Sequence, residues 1–547
     1  MTNLWGLDTE SRQMVIDTIR LLQKRILTKD KILEYDQKEI FPETIIREML
    51  GPEIGLQLLF IPEAYGGMGG GARDTCAVVL ELSKICLGIS TAFFAIQLGS
   101  DPILVGATKA QKEKWLGAIA EGNTLVAYAV TEAGAGSNLA ALKTKADPVS
   151  DDSGNIIGYK LNGSKQFISN GGYADLVTVL ANTPEGPSFF VVEKAMEGFV
   201  QGKGEQKHGI RASNTSPLSF TDVFVPSDNL IGLIPGDGLK QANKVFGYTR
   251  LMVAAMALGA ARNALDIVVS YAKERIQFGS PLSEKQGYTH KLIVPHAVCL
   301  EAAEAYMDEI AIRLDSGEED LQVEGSIAKL FATESANRFA DDAMQALGGY
   351  GYIQEYEVEK IKRDAKITCI YEGTSEIQQS IISTFRWKTT RKTKGGYYDG
   401  IAGSMMALEN ERNDLGAQSA ALSAKALNMA VNLVHENRLT KQQFAMFCLA
   451  DMMVSVEVAA ALIRKAKKLS DVSDPAFKKI AAISRIFASQ TAQLVAENTM
   501  KIVNGSGIFD DRAVSDFMKS VSHSRLVRFY PGLIRDMDQV ADILFER

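Results

Sequence analysis

Hydrophobic periodicity switches twice along this chain, and the switch limits the fold more than any single motif does. From about residue 8 to 120, apolar side chains recur three and four positions apart, as at Met14, Ile16, Ile19, Leu21 and Leu22. That is the spacing of one helix face. From about 124 to 238 the pattern becomes short β-rich runs at 125–130, 176–180 and 188–192, separated by turn residues such as Asp152, Ser153, Gly154 and Asn155. These predict a compact antiparallel sheet or barrel. Long helical patterns return from about 239 to 386, with residues 251–272 almost free of breakers. A glycine-rich stretch, Gly395-Gly396-Tyr397-Tyr398-Asp399-Gly400, reads as a linker, and residues 401–547 are helical again. The expected fold is α+β and multidomain, mostly α. It has an N-terminal helical domain (1–123), a middle β-barrel (124–238), a C-terminal four-helix bundle (239–390) and an additional C-terminal helical bundle (391–547). A chain of 547 residues is too long for one core, in line with this division.

The last segment echoes the one before it. Gln345-Ala346-Leu347-Gly348-Gly349-Tyr350-Gly351-Tyr352 has a counterpart in Lys501-Ile502-Val503-Asn504-Gly505-Ser506-Gly507-Ile508, and Tyr371-Glu372-Gly373 lines up with Tyr530-Pro531-Gly532. This reads as a degenerate repeat, with chance similarity between helical segments as the alternative.

Composition narrows the function. A net charge of −7 and the lack of long basic runs argue against nucleic acid as a partner. Five scattered cysteines without a CxxC pair predict reduced thiols, and five dispersed histidines give no metal site. The start of the chain lacks the basic and apolar segments of a leader, and no run of eighteen or more apolar residues predicts a membrane span. The expectation is therefore a cytoplasmic protein. The apolar run at 444–454, followed by Arg464, Lys465, Lys467 and Lys468, admits a peripheral membrane contact. A buried bundle helix with a solvated basic end is preferred. The glycine-rich loop at 62–71 has no strand leading into it, so a turn between helices is expected there rather than a dinucleotide fingerprint.

Several strings carry chemistry. In Ile370-Tyr371-Glu372-Gly373-Thr374-Ser375, a carboxylate stands between an aromatic and a glycine just before a helix. The glycine permits close backbone approach, Thr374 or Ser375 can cap the helix, and Tyr371 and Ile370 would dry the carboxylate and raise its pKa. The loop after Tyr128, Val130 and Thr131 runs through small residues to Ser137, and its N–H groups and hydroxyls can hold a ring edge or a pyrophosphate. Phe167 and Ser169 offer an aromatic and a hydroxyl at a strand end. Arg275 can pair a phosphate and Phe278 can stack on an adenine, with Gln286 nearby. Gln345 stands beside the approachable backbone of Gly348, Gly349 and Gly351.

Taken in order, these strings resemble the acyl-CoA dehydrogenase family over residues from about 10 to 386. The resemblance implies FAD held in extended form, without a Rossmann fold. It implies that Tyr128, Val130, Thr131, Ser137, Phe167 and Ser169 line the flavin. A phenylalanine stands here at 167 where the family usually has tryptophan. Arg275, Phe278 and Gln286 look like the residues that hold the adenosine diphosphate half across a subunit contact. Gln345, Gly348 and Gly349 match the pyrophosphate turn, and Thr374 and Glu376 match positions near the adenosine end. Glu372 matches the catalytic base. The earlier helix, where some members carry the base, reads Gly247-Tyr248-Thr249-Arg250-Leu251 and has no carboxylate. Ser137, Arg250 and Gly373 are the implied substrate contacts, although Gly247 replaces an acidic residue common in relatives.

The implied reaction converts an acyl-CoA to a trans-2-enoyl-CoA, with the β-hydride passing to flavin N5 and electrons leaving to an electron-transferring flavoprotein. An enoyl-CoA reductase, an acyl-CoA oxidase and a non-catalytic flavin-fold scaffold are the rivals. The tail resembles the extension of very-long-chain members and implies a homodimer. Phe94, in the segment expected to floor the acyl pocket, is bulky and points instead to short, medium or ring-bearing acyl groups.

Overall fold

The computed structural model describes residues 5–469 and 474–547. Met1 to Leu4, part of the stretch read for a leader, lie outside the described residues. The chain packs into two compact units. One holds the residues up to Ala260 with Ala311–Gln322 and Lys360–Glu372, and the other holds Ala261–Ile310, Val323–Glu359 and Gly373–Arg547. Packing thus groups the chain differently from the four segments read in the sequence. Within the second unit the tail helix Gln443–Lys468 packs against the helix Ser375–Lys392 that follows Glu372.

The first unit begins with helices Thr9–Arg25, Lys29–Gln37, Glu43–Leu50, Ala72–Ile85, Leu87–Gly106 and Lys109–Ala120. Their ends follow local chemistry. Asp8 caps the first by accepting from the Ser11 N–H at 2.7 Å, and Thr108 and Gln111 form a reciprocal capping box on the last. The loop at 62–71 is a short turn leading into a helix, as expected. The helix Leu87–Gly106 is buried along most of its length, because its residues are apolar or small on every side.

The sheet of this unit has seven strands: β1 (Val126–Ala129), β2 (Lys145–Ser150), β3 (Ile156–Ser169), β4 (Leu176–Thr183), β5 (Gly186–Glu193), β6 (Phe199–Gln201) and β7 (Thr215–Pro226). Their order is β1-β4-β2-β3-β7-β6, with β5 also paired to β4. The sheet is mixed rather than purely antiparallel, since β1 joins β4 in parallel from Val126 opposite Leu176 to Ala129 opposite Val179. Parallel neighbours need a long connection, here the β2–β3 hairpin, so the pairing leaves no turn signal. Alternate residues of the strands, among them Tyr159, Leu161, Val177, Val179, Phe190, Leu218 and Val223, fill one core.

In the second unit, helices Gln322–Leu347, Ser375–Lys392, Gly396–Glu411, Ala417–Glu436, Gln443–Lys468 and Pro475–Gly505 dominate. Three helices of the described chain, Leu87–Gly106, Gly238–Glu274 and Gln443–Lys468, are long and apolar enough to cross a membrane by length and composition. This corrects the expectation that none would be. Most of each apolar stretch is buried inside the protein, so its apolarity is used in packing. The segment 444–454 accordingly lies in a buried bundle helix.

Candidate active site

Glu372 sits in a tight reversal ahead of the helix Ser375–Lys392. It adopts φ 54° and Gly373 follows at 91°. A left-handed glutamate costs of order 1–3 kcal/mol, and such strain gathers at functional sites. Gly373 suits this φ, and a Cβ there would also crowd the Gln378 amide, 2.6 Å away. Thr374 is the helix cap, its hydroxyl accepting from the Ile377 N–H at 3.4 Å. In the second unit the Gly373 carbonyl accepts from Lys329 Nζ at 2.7 Å and Gln378 Nε2 at 3.0 Å, which pins the residue after Glu372. Ser375 donates to Glu334, and Glu376 points to the exposed side of the helix.

Within the first unit, the Thr249 hydroxyl donates to Glu372 Oε2 at 3.0 Å. Arg250, the next residue, is buried; burial pulls its pKa down while the Glu372 charge opposes that shift. Tyr128, Asp101 and Tyr371 all feel the Glu372 charge, and burial together with that charge raises each of them. Ile370 is 47% exposed, so it does not dry the carboxylate as expected. The surroundings of Glu372 come instead from the Leu87–Gly106 helix, β1 and the start of the Gly238–Glu274 helix. Thr249 and Asp101 had escaped notice in the sequence. Thr249 lay in a string whose signals were its missing carboxylate, Arg250 and Gly247. Asp101 carried a signal, as the single charged residue in a helix of 20 residues.

The flavin candidates of the first unit fall around the ends of β1 and β3. Val130 is buried, Tyr128, Thr131 and Ser169 are half-buried, and Ser137 is exposed. Phe167 interrupts the β3–β7 ladder, where the register shifts between Lys165 and Ile168. It takes φ 61° and turns outward, leaving its ring 62% exposed. A phenylalanine held outward in a strained conformation fits a flat ligand better than a core. The loop 131–138 is anchored by a buried pair that the sequence reading missed. Lys165 Nζ meets Glu132 Oε1 at 2.8 Å and the Val130 carbonyl at 3.1 Å. Glu132 also accepts from the backbone N–H of Lys143 and Thr144. Burial pushes the Glu132 carboxyl up, but Lys165 and these donors outweigh it and bring it to about 2.

In the second unit, Arg275, Gln345, Gly348 and Gly349 line one groove of about 470 Å³, with Tyr271, Gln277, Tyr350 and Ile353. The Arg275 guanidinium lies 5.6 Å from the centre of the Tyr350 ring. Gly348 has φ 60°, and a Cβ on it or on Gly349 would meet nothing within 4 Å, so the turn presents open backbone. Phe278 is at the tip of the hairpin formed by Ile276–Gln277 and Ser280–Pro281, with its ring 97% exposed. Gln286 is outside this groove and donates to Asp538 of the tail at 2.9 Å. Within the second unit, the open backbone of Gly348 and Gly349 with the Arg275 cation in the same groove has the donors that a pyrophosphate calls for.

Comparison with known proteins gives a consistent answer. The chain matches the acyl-CoA dehydrogenase N-terminal domain over residues 9–123, the middle domain over 127–223 and the C-terminal domain twice, over 236–385 and 398–532. It is 37% identical over 379 residues to cyclohex-1-ene-1-carbonyl-CoA dehydrogenase of Geobacter metallireducens, covering 68% of this chain and 97% of that protein. The solved structure of an acyl-CoA dehydrogenase complexed with FAD from Bacillus anthracis is similar with a TM-score of 0.85 and 25% identity, covering 98% of this chain and 95% of that one. A chain from the structure of the electron transferring flavoprotein of Acidaminococcus fermentans is similar at TM-score 0.65 and 36% identity, covering 69% of this chain and 98% of that one.

Proposed function

The chain belongs to the acyl-CoA dehydrogenase family of FAD-dependent oxidoreductases, and on that premise we propose that it forms a trans-2-enoyl-CoA from an acyl-CoA with Glu372 as the base. The observation that carries this reading is the Glu372 carboxylate, held in a left-handed turn with one oxygen fixed by the Thr249 hydroxyl.

The α-proton of a thioester is far less acidic than a carboxylic acid, so the chain has to stabilise charge as the proton leaves. The main-chain N–H of Glu372 is the proposed donor to the thioester oxygen. A preorganised donor of this kind is worth about 3–4 kcal/mol. Arg250 and Gly373 are the proposed neighbours of the substrate, with Ser137 at the loop. Exclusion of water by the bound acyl group strengthens each of these interactions. Thr249 limits the rotamers of Glu372 and so orients its carboxylate for the α-proton. FAD, when bound, supplies the acceptor for the β-hydride. Tyr128, Val130, Thr131, Ser137, Phe167 and Ser169 are the proposed contacts of its ring system. Arg275, Phe278, Gln286, Gln345, Gly348, Gly349, Thr374 and Glu376 are those of its adenosine diphosphate half. For Gln286 this requires exchange of its bond to Asp538.

Electron-transferring flavoprotein is the proposed electron acceptor, supported by the similarity to the Acidaminococcus fermentans chain. The proposed assembly is a homodimer. The tail is the proposed degenerate second copy of the bundle. Two features support this: the C-terminal domain matches twice, and Gly373 and Gly532, at φ 91° and 81°, each stand just before a helix.

The test is a panel of acyl-CoA thioesters mixed with the FAD-loaded protein and a dye acceptor. A saturated acyl-CoA that bleaches the flavin and yields its 2-enoyl product supports the proposal. If no saturated acyl-CoA bleaches the flavin while a reduced sample saturates an enoyl-CoA, the reductase reading replaces it. Fast reoxidation by oxygen with peroxide release identifies an oxidase.

A further inference from the structure

The Leu87–Gly106 helix turns an unusual face toward Glu372. Gln97 and Asp101 are four residues apart, hence one above the other on the same side, and Phe94 precedes them by one turn. Gly99, between them, lets the helix press onto β1; a Cβ there would come within 2.7 Å of Val126. The approach is fixed by the Thr178 hydroxyl, which donates to the Gly99 carbonyl at 2.9 Å. That contact is made by the other side of the helix, and Tyr128 of β1 feels the Asp101 charge.

Three buried polar atoms here have no hydrogen-bond partner: Gln97 Oε1, Asp101 Oδ2 and Tyr128 Oη. Gln97 is 3% and Asp101 4% exposed. A buried polar atom left without a partner is costly, so these three need a reason, and Asp101 and Tyr128 also feel the Glu372 charge. The amide of Gln97 settles the polarity of what is missing. Its Nε2 is already committed to the Tyr248 hydroxyl, so the orphaned Oε1 calls for a donor. Burial, helped by the charge of Glu372, raises the Asp101 carboxyl well above the ordinary range. Burial favours the protonated form of this carboxyl, in which it can itself donate. Arg250, buried near Glu372, also disfavours a second positive group. The group that satisfies an acceptor and a neutral acid together, without charge, is a hydroxyl. Phe94, on the same side of the helix one turn earlier, is buried against Phe93, and its bulk favours a short acyl chain on this reading.

We propose that Gln97, Asp101 and Tyr128 form a polar subsite of the acyl pocket that selects short acyl-CoA thioesters bearing a hydroxyl beyond the β-carbon. Asp101 is the specificity-determining residue. The inference rests on the acyl-CoA dehydrogenase reading above and adds the substrate class to it.

The test compares 4-hydroxybutyryl-CoA and 5-hydroxypentanoyl-CoA with their methyl counterparts, pentanoyl-CoA and hexanoyl-CoA. The readout is kcat/KM for flavin reduction by the FAD-loaded protein. The wild type is expected to prefer at least one hydroxylated thioester over its counterpart by about tenfold or more, a modest share of the roughly 10⁴–10⁵-fold that a site built to hydrogen-bond a hydroxyl can reach. Asp101→Leu is expected to abolish or reverse the preference, Gln97→Met to weaken it, and Asp101→Asn, which keeps shape and a donor, to retain most of it. FAD content and melting temperature report on folding, and the Asn variant carries the test if the Leu variant does not fold. A wild type that favours the plain chains overturns the inference and leaves the dehydrogenase reading standing. So does an Asp101→Leu variant that speeds both classes equally, which would mean that the orphaned atoms hold only water. Failure of every thioester to bleach the flavin refutes the dehydrogenase reading itself.

Discussion

The Thr249 hydroxyl donates to one oxygen of Glu372, and in the proposed mechanism that bond orients the carboxylate toward the substrate. A hydrogen bond to a charged group is worth about 1.5–3 kcal/mol. Thr249→Val is therefore predicted to slow flavin reduction by roughly ten- to a hundredfold at unchanged FAD content, and Thr249→Ser to restore most of the rate. Rapid-mixing absorbance at saturating acyl-CoA measures both; an unaltered Val variant contradicts this role. Glu372 was legible in the sequence because a carboxylate framed by tyrosine and glycine before a helix is an unusual string. Thr249, Asp101 and Lys329 act through contacts that join residues far apart in the chain. Their residue types are ordinary, and only the isolation of Asp101 in an apolar helix set one of them apart.

Strands and loops show the same division. The β-rich middle segment announced itself through alternating apolar runs, but the parallel seam between β1 and β4 did not, because nothing local encodes which distant strand becomes a neighbour. The loop 131–138 stood out in the sequence as a candidate ligand loop, while its anchor did not: Lys165, wholly buried, reads in the sequence as an outward-facing strand residue. Removing one partner of a buried ion pair leaves an uncompensated charge, so Lys165→Met is predicted to cost about 3–5 kcal/mol, measured by denaturant unfolding of the FAD-free protein. A change below 1 kcal/mol would argue that the loop stands without its anchor. The pair also predicts acid behaviour. The Glu132 carboxyl is lowered from 4.5 to about 2, so its stabilising contribution is complete above pH 4.5 and is lost as pH falls toward 2. A Glu132→Gln variant should lack that component of the acid transition.

The tail was legible as helical and as an echo of the bundle, yet its packing was not. A reading by segments separates 391–547 from the bundle at 239–390, whereas the second unit joins the tail to the helix Ser375–Lys392 through a buried network. Arg386, on the helix that follows Glu372, forms a two-pronged pair with Glu457 of the tail at 2.8 and 2.9 Å and reaches Glu324 at 2.9 Å. The hydroxyls of Tyr397 and Tyr398 donate to Glu457 as well. Glu457→Ala is predicted to destabilise the protein by about 3–5 kcal/mol, seen as a lower melting temperature. Sedimentation is predicted to give a dimer, and a tetramer would refute the assembly inferred from the tail. The central claim, that Glu372 takes the α-proton in an otherwise intact flavoprotein, is tested most directly by anaerobic mixing of Glu372→Gln with an acyl-CoA that bleaches the wild type. A general base contributes roughly 10²–10⁴-fold. The account predicts a yellow protein with full FAD content whose flavin reduction is slowed by at least that factor. Bleaching at the wild-type rate would contradict it.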